Sequence, residues 1–163
     1  MINRKKIFNV FLVFLISLTM RAQPHFGDNA MEIALPSVTG DTLKLSSLKG
    51  KIVLLDFWAS WCGPCRFTNK QLAKLYPKYK EKGFEIFSVS LDTKKKDWTK
   101  AIAKDKISWL QVNDDGGWDA LTVANWKLYA IPTSYLIDKD GKLIATDLPP
   151  KDLEKQLKDM LGD

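Results

Sequence analysis

The alternation of apolar and polar positions changes period several times along this chain, and each change marks an element. KIVLLDFW, Lys51 to Trp58, is almost continuously apolar and β-branched at Ile52 and Val53. Such a run predicts a central strand buried on both faces. After Cys62 the period becomes helical, with Leu72, Leu75, Tyr76 and Tyr79 at i, i+3, i+4 and i+7. Pro77 falls inside that pattern and predicts a kinked or divided helix, and Gly83 a stop. FEIFSVSL predicts a second strand and SWLQV a third. Between them Asp97 to Lys104 turns Trp98, Ala101 and Ile102 to one helical face.

Trp118 to Leu128 predicts a further short helix. TSYLID and KLIAT flank Lys139-Asp140-Gly141, a hairpin signal. Pro150 suits a first helical turn, with Leu153, Leu157 and Leu161 as the buried stripe. Upstream, IALPSVTGDTLKLSSLKGK predicts short strands around Thr39-Gly40-Asp41. The predicted order is β-β-β-α-β-α-β-α-β-β-α, an α/β chain with a mixed sheet covered by helices.

The first segment follows another logic. Arg4, Lys5 and Lys6 precede IFNVFLVFLISLTM, a mostly apolar run of fourteen residues, and Ala22 offers a small residue for cleavage. The run is shorter than the ~20 residues a membrane-spanning helix needs, so residues 1–22 read as a secretory signal peptide. An uncleaved anchor and a buried helix are the alternatives. Residues 23–30 then read as a linker, and residues 31–163 as one domain. Removing the four positive charges of residues 1–22 from the net +6 leaves +2. That is too mild a balance for a nucleic-acid partner.

The chemistry lies in WASWCGPCR. Its Cys62 and Cys65 are the only cysteines in the chain. A zinc site needs about four ligands, and the single histidine, His25, sits in the expected linker. A structural bridge across so short a loop constrains little of the unfolded chain. NDDGG fails as a calcium loop, because aligning its glycine on Gly116 puts Gln111 and Thr122 at the terminal ligand positions. Redox chemistry explains the spacing directly. A helix starting near Cys62 puts that sulfur at the positive end of the helix dipole, where a thiolate is favoured. Cys65 lies one turn further on the same face, within bridging reach. Gly63 permits close approach, and Pro64 fits the first turn. Asp56, inside an apolar strand six positions ahead of Cys62, is expected to be buried with a raised pKa and to serve Cys65 as a base. The bland alternative is an edge carboxylate paired with a lysine.

WASWCGPCR resembles the thioredoxin active site, with Asp56 where thioredoxins keep a buried acid. ALPSVTGDTLKLSSLKGK and YAIPTSYLIDKDGK resemble the N-terminal extension and the cis-proline segment of envelope thioredoxin-like proteins of the TlpA/ResA type. The likeness runs from about Ile33 to Leu161. It implies a thioredoxin fold with an N-terminal β extension and thiol–disulfide exchange in the periplasm or cell envelope. Disulfide-containing envelope proteins would be its substrates. Electrons would come from a membrane thiol donor, with no bound cofactor beyond the Cys62–Cys65 pair itself. It implies a cis bond at Pro132, with Ile131 pairing to a substrate strand and Trp61, Gly63 and Pro64 shaping the same surface. Members that serve cytochrome c maturation carry Glu three positions after the second cysteine. Thr68 stands there instead. A soft-metal module holding Cu(I) and a thiol peroxidase are the two rival readings.

Overall fold

The computed structural model describes residues 24–162. The expected signal peptide, 1–22, lies outside the described residues. The described chain forms two sheets. A small hairpin pairs β1 (Ala34–Pro36) with β2 (Thr42–Lys44) antiparallel. The main sheet contains β3 (Ile52–Trp58), β4 (Phe84–Ser90), β5 (Leu110–Asn113), β6 (Thr133–Ile137) and β7 (Leu143–Thr146) in the order β5-β4-β3-β6-β7. β3, β4 and β5 run parallel, while β6 and β7 are antiparallel to their neighbours. The helices are α1 (Gly63–Tyr79), α2 (Lys95–Asp105), α3 (Leu121–Trp126) and α4 (Pro150–Leu161).

All seven residues of β3 and all seven of β4 are buried, as befits central parallel strands covered on both faces, and the polar Asp56, Glu85, Ser88 and Ser90 are buried with them. The pleat sends them to opposite cores. Val53, Leu55 and Phe57 join Ile33, Leu45, Leu48 and Trp126 on the face covered by the N-terminal extension and α3. Ile52 and Leu54 meet Leu72, Leu75, Leu153 and Leu157 of α1 and α4 on the other. A smaller cluster joins Trp58, Cys62 and Cys65 to Trp98 and Ala101 of α2. Asp56 shares the phase of Ile52, Leu54 and Trp58. It therefore faces α1, between the cluster under that helix and the cluster around the cysteines.

One local expectation is corrected. Pro77 does not divide α1, which runs through it to Tyr79 before tightening into a 3-10 turn at Lys80–Lys82. The proline falls in the last helical turn, where its missing N–H removes one bond from a helix that is already ending. Gly83 supplies the stop, with a left-handed φ of 98°. Residues 27–30, read above as linker, lie along the start of β7. The Gly27 and Ala30 N–H groups donate to Leu143 O and Gly141 O, and the Leu143 N–H donates to Asp28 O, each within 2.9 Å.

Candidate active site

β3 ends at Trp58, and the chain turns through Ala59-Ser60-Trp61 into α1. Cys62 is the N-cap of that helix. Its backbone is extended, and its sulfur accepts the Cys65 N–H at 3.2 Å. An N–H aimed at this sulfur, at the positive end of a helix dipole, favours negative charge on Cys62. Pro64 sits in the first turn, where no backbone N–H is needed. Cys62 and Cys65 are joined in a disulfide with Cα atoms 5.3 Å apart. Cys62 is the more accessible of the two, 6% exposed against 1%. Trp61, Gly63, Pro64 and Pro132 are exposed around it. The Ile131–Pro132 peptide is cis, and Ile131 O lies 3.8 Å from Cys62 Sγ.

Asp56 is 3% exposed. Burial pushes its carboxyl up to about 7, a hydrogen bond from Ser88 opposes the rise, and the charge of Asp147 adds to it. Ser88 Oγ donates to Asp56 Oδ2 at 3.1 Å and accepts the Trp109 indole N–H at 2.8 Å. The carboxyl is buried rather than at a solvent edge, and among the described residues no lysine pairs with it. A cavity of about 170 Å³ opens beside Asp56 and is lined also by Thr68, Leu72, Pro132 and Ser134. Cys65, Thr68 and Leu72 are spaced i, i+3 and i+7 on α1, so Cys65 stands one turn before Thr68 on the same helical face. Thr68 gives this cavity a hydroxyl where the resemblance places a glutamate.

A second polar group holds the turn ahead of the cysteines. Arg66 pairs with buried Asp105 through Nε and Nη2, and its Nη1 donates to Ser60 O at 3.2 Å. Asp92, also buried, accepts from the Ser60 N–H at 2.8 Å, from the Ser60 hydroxyl, and from Ser90 Oγ at 2.8 Å. The segment before Cys62 is thus fastened to β4 and α2. Sequence reasoning missed Ser88, Asp92, Arg66, Asp105 and Asp147. Two left signals. Ser88 and Ser90 are hydroxyls at alternate positions of the mostly apolar stretch Ile86 to Leu91. Asp105 closes a helix at the end where the dipole disfavours an acid, which itself points to a cationic partner.

A five-stranded mixed sheet, a helix-capping cysteine pair and an adjacent cis-proline define a thioredoxin-fold protein of thiol–disulfide exchange. The chain belongs to the AhpC/TSA family, which matches residues 26–146, and within it is a thiol–disulfide oxidoreductase of the ResA type. It is 32% identical over 143 residues to thiol-disulfide oxidoreductase ResA of Bacillus thuringiensis subsp. konkukian, covering 88% of this chain and 80% of the relative. A thiol-disulfide oxidoreductase from Bacteroides fragilis superposes with a TM-score of 0.77 at 35% identity, covering 82% of this chain and 100% of the other. The solution structure of a thiol:disulfide interchange protein from Bacteroides sp. also gives 0.77, at 34% identity over 86% of this chain and 92% of the other.

Proposed function

We propose that this enzyme is an exported reductase of disulfides in envelope proteins, with Cys62 as nucleophile, Cys65 as resolving thiol and Asp56 as the base for Cys65. The observation that carries the reading is the asymmetry of the pair. Cys62 caps the helix and receives an N–H, while Cys65 is buried one turn deeper on the face that carries Thr68 and the Asp56 cavity.

In the reduced enzyme the Cys62 thiolate attacks one sulfur of a substrate disulfide. That bond breaks, one substrate thiolate leaves, and Cys62 is held in a mixed disulfide. Cys65 must then lose its proton to attack Cys62. A carboxylate ionising near 7 is matched to that task at neutral pH. The Cys62–Cys65 bond forms, the second substrate thiolate departs, and two electrons have passed from enzyme to substrate. Ile131 offers backbone hydrogen bonds to an extended substrate segment. Trp61, Gly63, Pro64 and Pro132 form the exposed surface that such a segment meets.

Export rests on the pattern of residues 1–22, which predicts a mature chain starting near Gln23. Among the described residues no helix is long and apolar enough to cross a membrane. A membrane thiol donor would return the pair to the dithiol, and the cycle calls for no bound cofactor. The Gly63-Pro64 dipeptide lacks the basic residue that makes oxidants of this fold oxidising, which favours the reducing direction. A peroxidase would need a polarising cation near its sulfur, whereas the Arg66 guanidinium is already engaged by Asp105 and Ser60.

The test is trapping in the native cell. A Cys65→Ser variant should retain envelope proteins in mixed disulfides through Cys62, and mass spectrometry of the wild type should find a processed N-terminus outside the cytoplasm. Soluble cytoplasmic protein with Met1 intact would overturn export. Peroxide consumption or Cu(I) retention with no trapped protein would overturn the reductase reading.

A further inference from the structure

Asp56 can take a proton from Cys65 only if it can also lose one, and its carboxyl is buried. The cavity beside it offers a route. Of the residues lining that cavity, Asp147 is an exposed acid at its rim. Asp147 also lines a groove of about 330 Å³ beside β6, together with His25, Lys127, Tyr129 and Tyr135. It is the one residue common to both. A cavity of this size accommodates several water molecules, each occupying about 30 Å³ in the liquid.

The side chain of Asp147 is held in place. Its N–H donates to Ser134 O at 2.9 Å, and its Oδ1 accepts the Ser134 N–H at 2.7 Å. Ser134 is the residue of β6 directly opposite Asp56 in the β3–β6 register. The backbone of Asp147 lies in the left-handed region, with φ 49°. Only glycine, asparagine and aspartate enter that region readily. Among the described residues, no protein donor engages Oδ2. The two acids sense each other, since the charge of Asp147 contributes to the raised pKa of Asp56.

We propose that Asp147 relays the proton between Asp56 and bulk solvent during resolution of the mixed disulfide. The inference rests on the reading of Asp56 as the base for Cys65. Asp147 touches neither sulfur; it acts through Asp56 and is a positioning residue for the reaction. In the resolving step the proton of the Cys65 thiol passes to the Asp56 carboxylate. The Cys65 thiolate then displaces the substrate thiolate from Cys62, so one S–S bond forms as another breaks. The proton on Asp56 crosses the cavity to Asp147 and leaves to buffer before that displacement, so it cannot return to Cys65, and this release is what the rate of resolution reads. The titratable and charged groups that share a cavity or groove with Asp147 are Asp56 on β3, Tyr135 on β6, His25 in the N-terminal stretch, and Lys127 and Tyr129 beyond α3.

The experiment is a single turnover of the reduced full chain with a peptide disulfide. Acid quenching and mass spectrometry separate mixed disulfide from product. Asp147→Asn keeps an acceptor for Ser134 and tolerates the left-handed backbone, but carries no charge. In dilute buffer near neutral pH it should slow resolution about tenfold, part of the ~10²–10⁴ a positioned base supplies. The first attack by Cys62 should be unchanged. Raising the concentration of a small buffer such as imidazole should restore the rate in this variant and leave the wild type unaffected. Asp147→Gly, which adopts the same backbone without strain, is the second variant and should behave alike.

Slowing that buffer does not relieve would make Asp147 structural and overturn the relay. An unchanged rate for both Asp147 variants, with Asp56→Asn slowed, would overturn the relay and leave Asp56 as the base. An unchanged rate for Asp56→Asn would overturn both.

Discussion

Replacing Asp56 by asparagine tests the buried acid through stability as well as rate. The folded protein holds this carboxyl at about 7 against an ordinary value of 3.8. The folded state therefore binds a proton more tightly than the unfolded chain does. Between those two pH values the native protein is the more protonated state, so its stability falls as pH rises, by about 1.4 kcal/mol per pH unit. The full penalty, about 4 kcal/mol, applies above pH 7 and vanishes below pH 4. Asparagine cannot ionise and escapes it. Its amide still needs hydrogen-bond partners, and an unsatisfied one costs about 1–3 kcal/mol. The absolute gain is thus smaller than 4 kcal/mol, but the pH dependence is not affected by that cost. From pH 5 to pH 8 the wild type should lose about 2–3 kcal/mol relative to Asp56→Asn. Urea unfolding of the oxidised proteins at several pH values measures this, with equal slopes as the control for comparable unfolded states. Parallel stability curves for the two proteins would refute the reasoning, because they would mean that Asp56 titrates alike in both states. The kinetic counterpart is slower release of product from the mixed disulfide near neutral pH, with the first attack by Cys62 largely preserved.

Cys62→Ser should abolish reduction of a protein disulfide, while Cys65→Ser should accumulate mixed disulfides on non-reducing gels. If Cys65 were alkylated before Cys62 at low pH, the assignment of roles would be reversed. Arg66→Met leaves the Asp105 carboxylate buried without its partner and should destabilise the fold by about 3 kcal/mol; adding Asp105→Leu should recover much of the loss in chemical denaturation. Leu72→Ala opens a void beneath α1 and should cost about 2–5 kcal/mol, read as a lower denaturation midpoint at unchanged slope.

The parts of this molecule legible in its sequence are those fixed by short-range periodicity. KIVLLDFW announces a strand buried on both faces because no polar position interrupts it except Asp56. The cysteine spacing announces a helix start because Pro64 fits a first turn, where its missing N–H has no partner to lose, whereas Gly63 has an ordinary backbone and open space around it. Asp56 could be read as buried for the same reason that it is conspicuous, a charge in an apolar run. Asp147 was not legible. Its position depends on how β7 registers against β6 and on a left-handed turn after Thr146, and neither leaves a local pattern. Arg66 and Asp105 are 39 positions apart, and their pairing follows from α1 and α2 packing side by side. Pro77 misled because periodicity alone did not reveal how near it stood to the end of its helix.

The N-terminal extension has a consequence unrelated to sulfur chemistry. Asn29 bridges to Lys142 beside β7, and Ser37 bridges to Val112 in β5. β7 and β5 are the two outer strands of the main sheet. Residues 29–37 therefore cross one face of the sheet and touch both of its margins, with Ile33 buried between them. An outer strand presents unpaired N–H and C=O groups that can recruit another chain edge to edge. Here one short stretch occupies part of both margins and leaves less of either open to a neighbouring molecule. Its loss would cost solubility before it cost activity, since the cysteines lie on the other side of β3 and the aggregation risk lies at the rims.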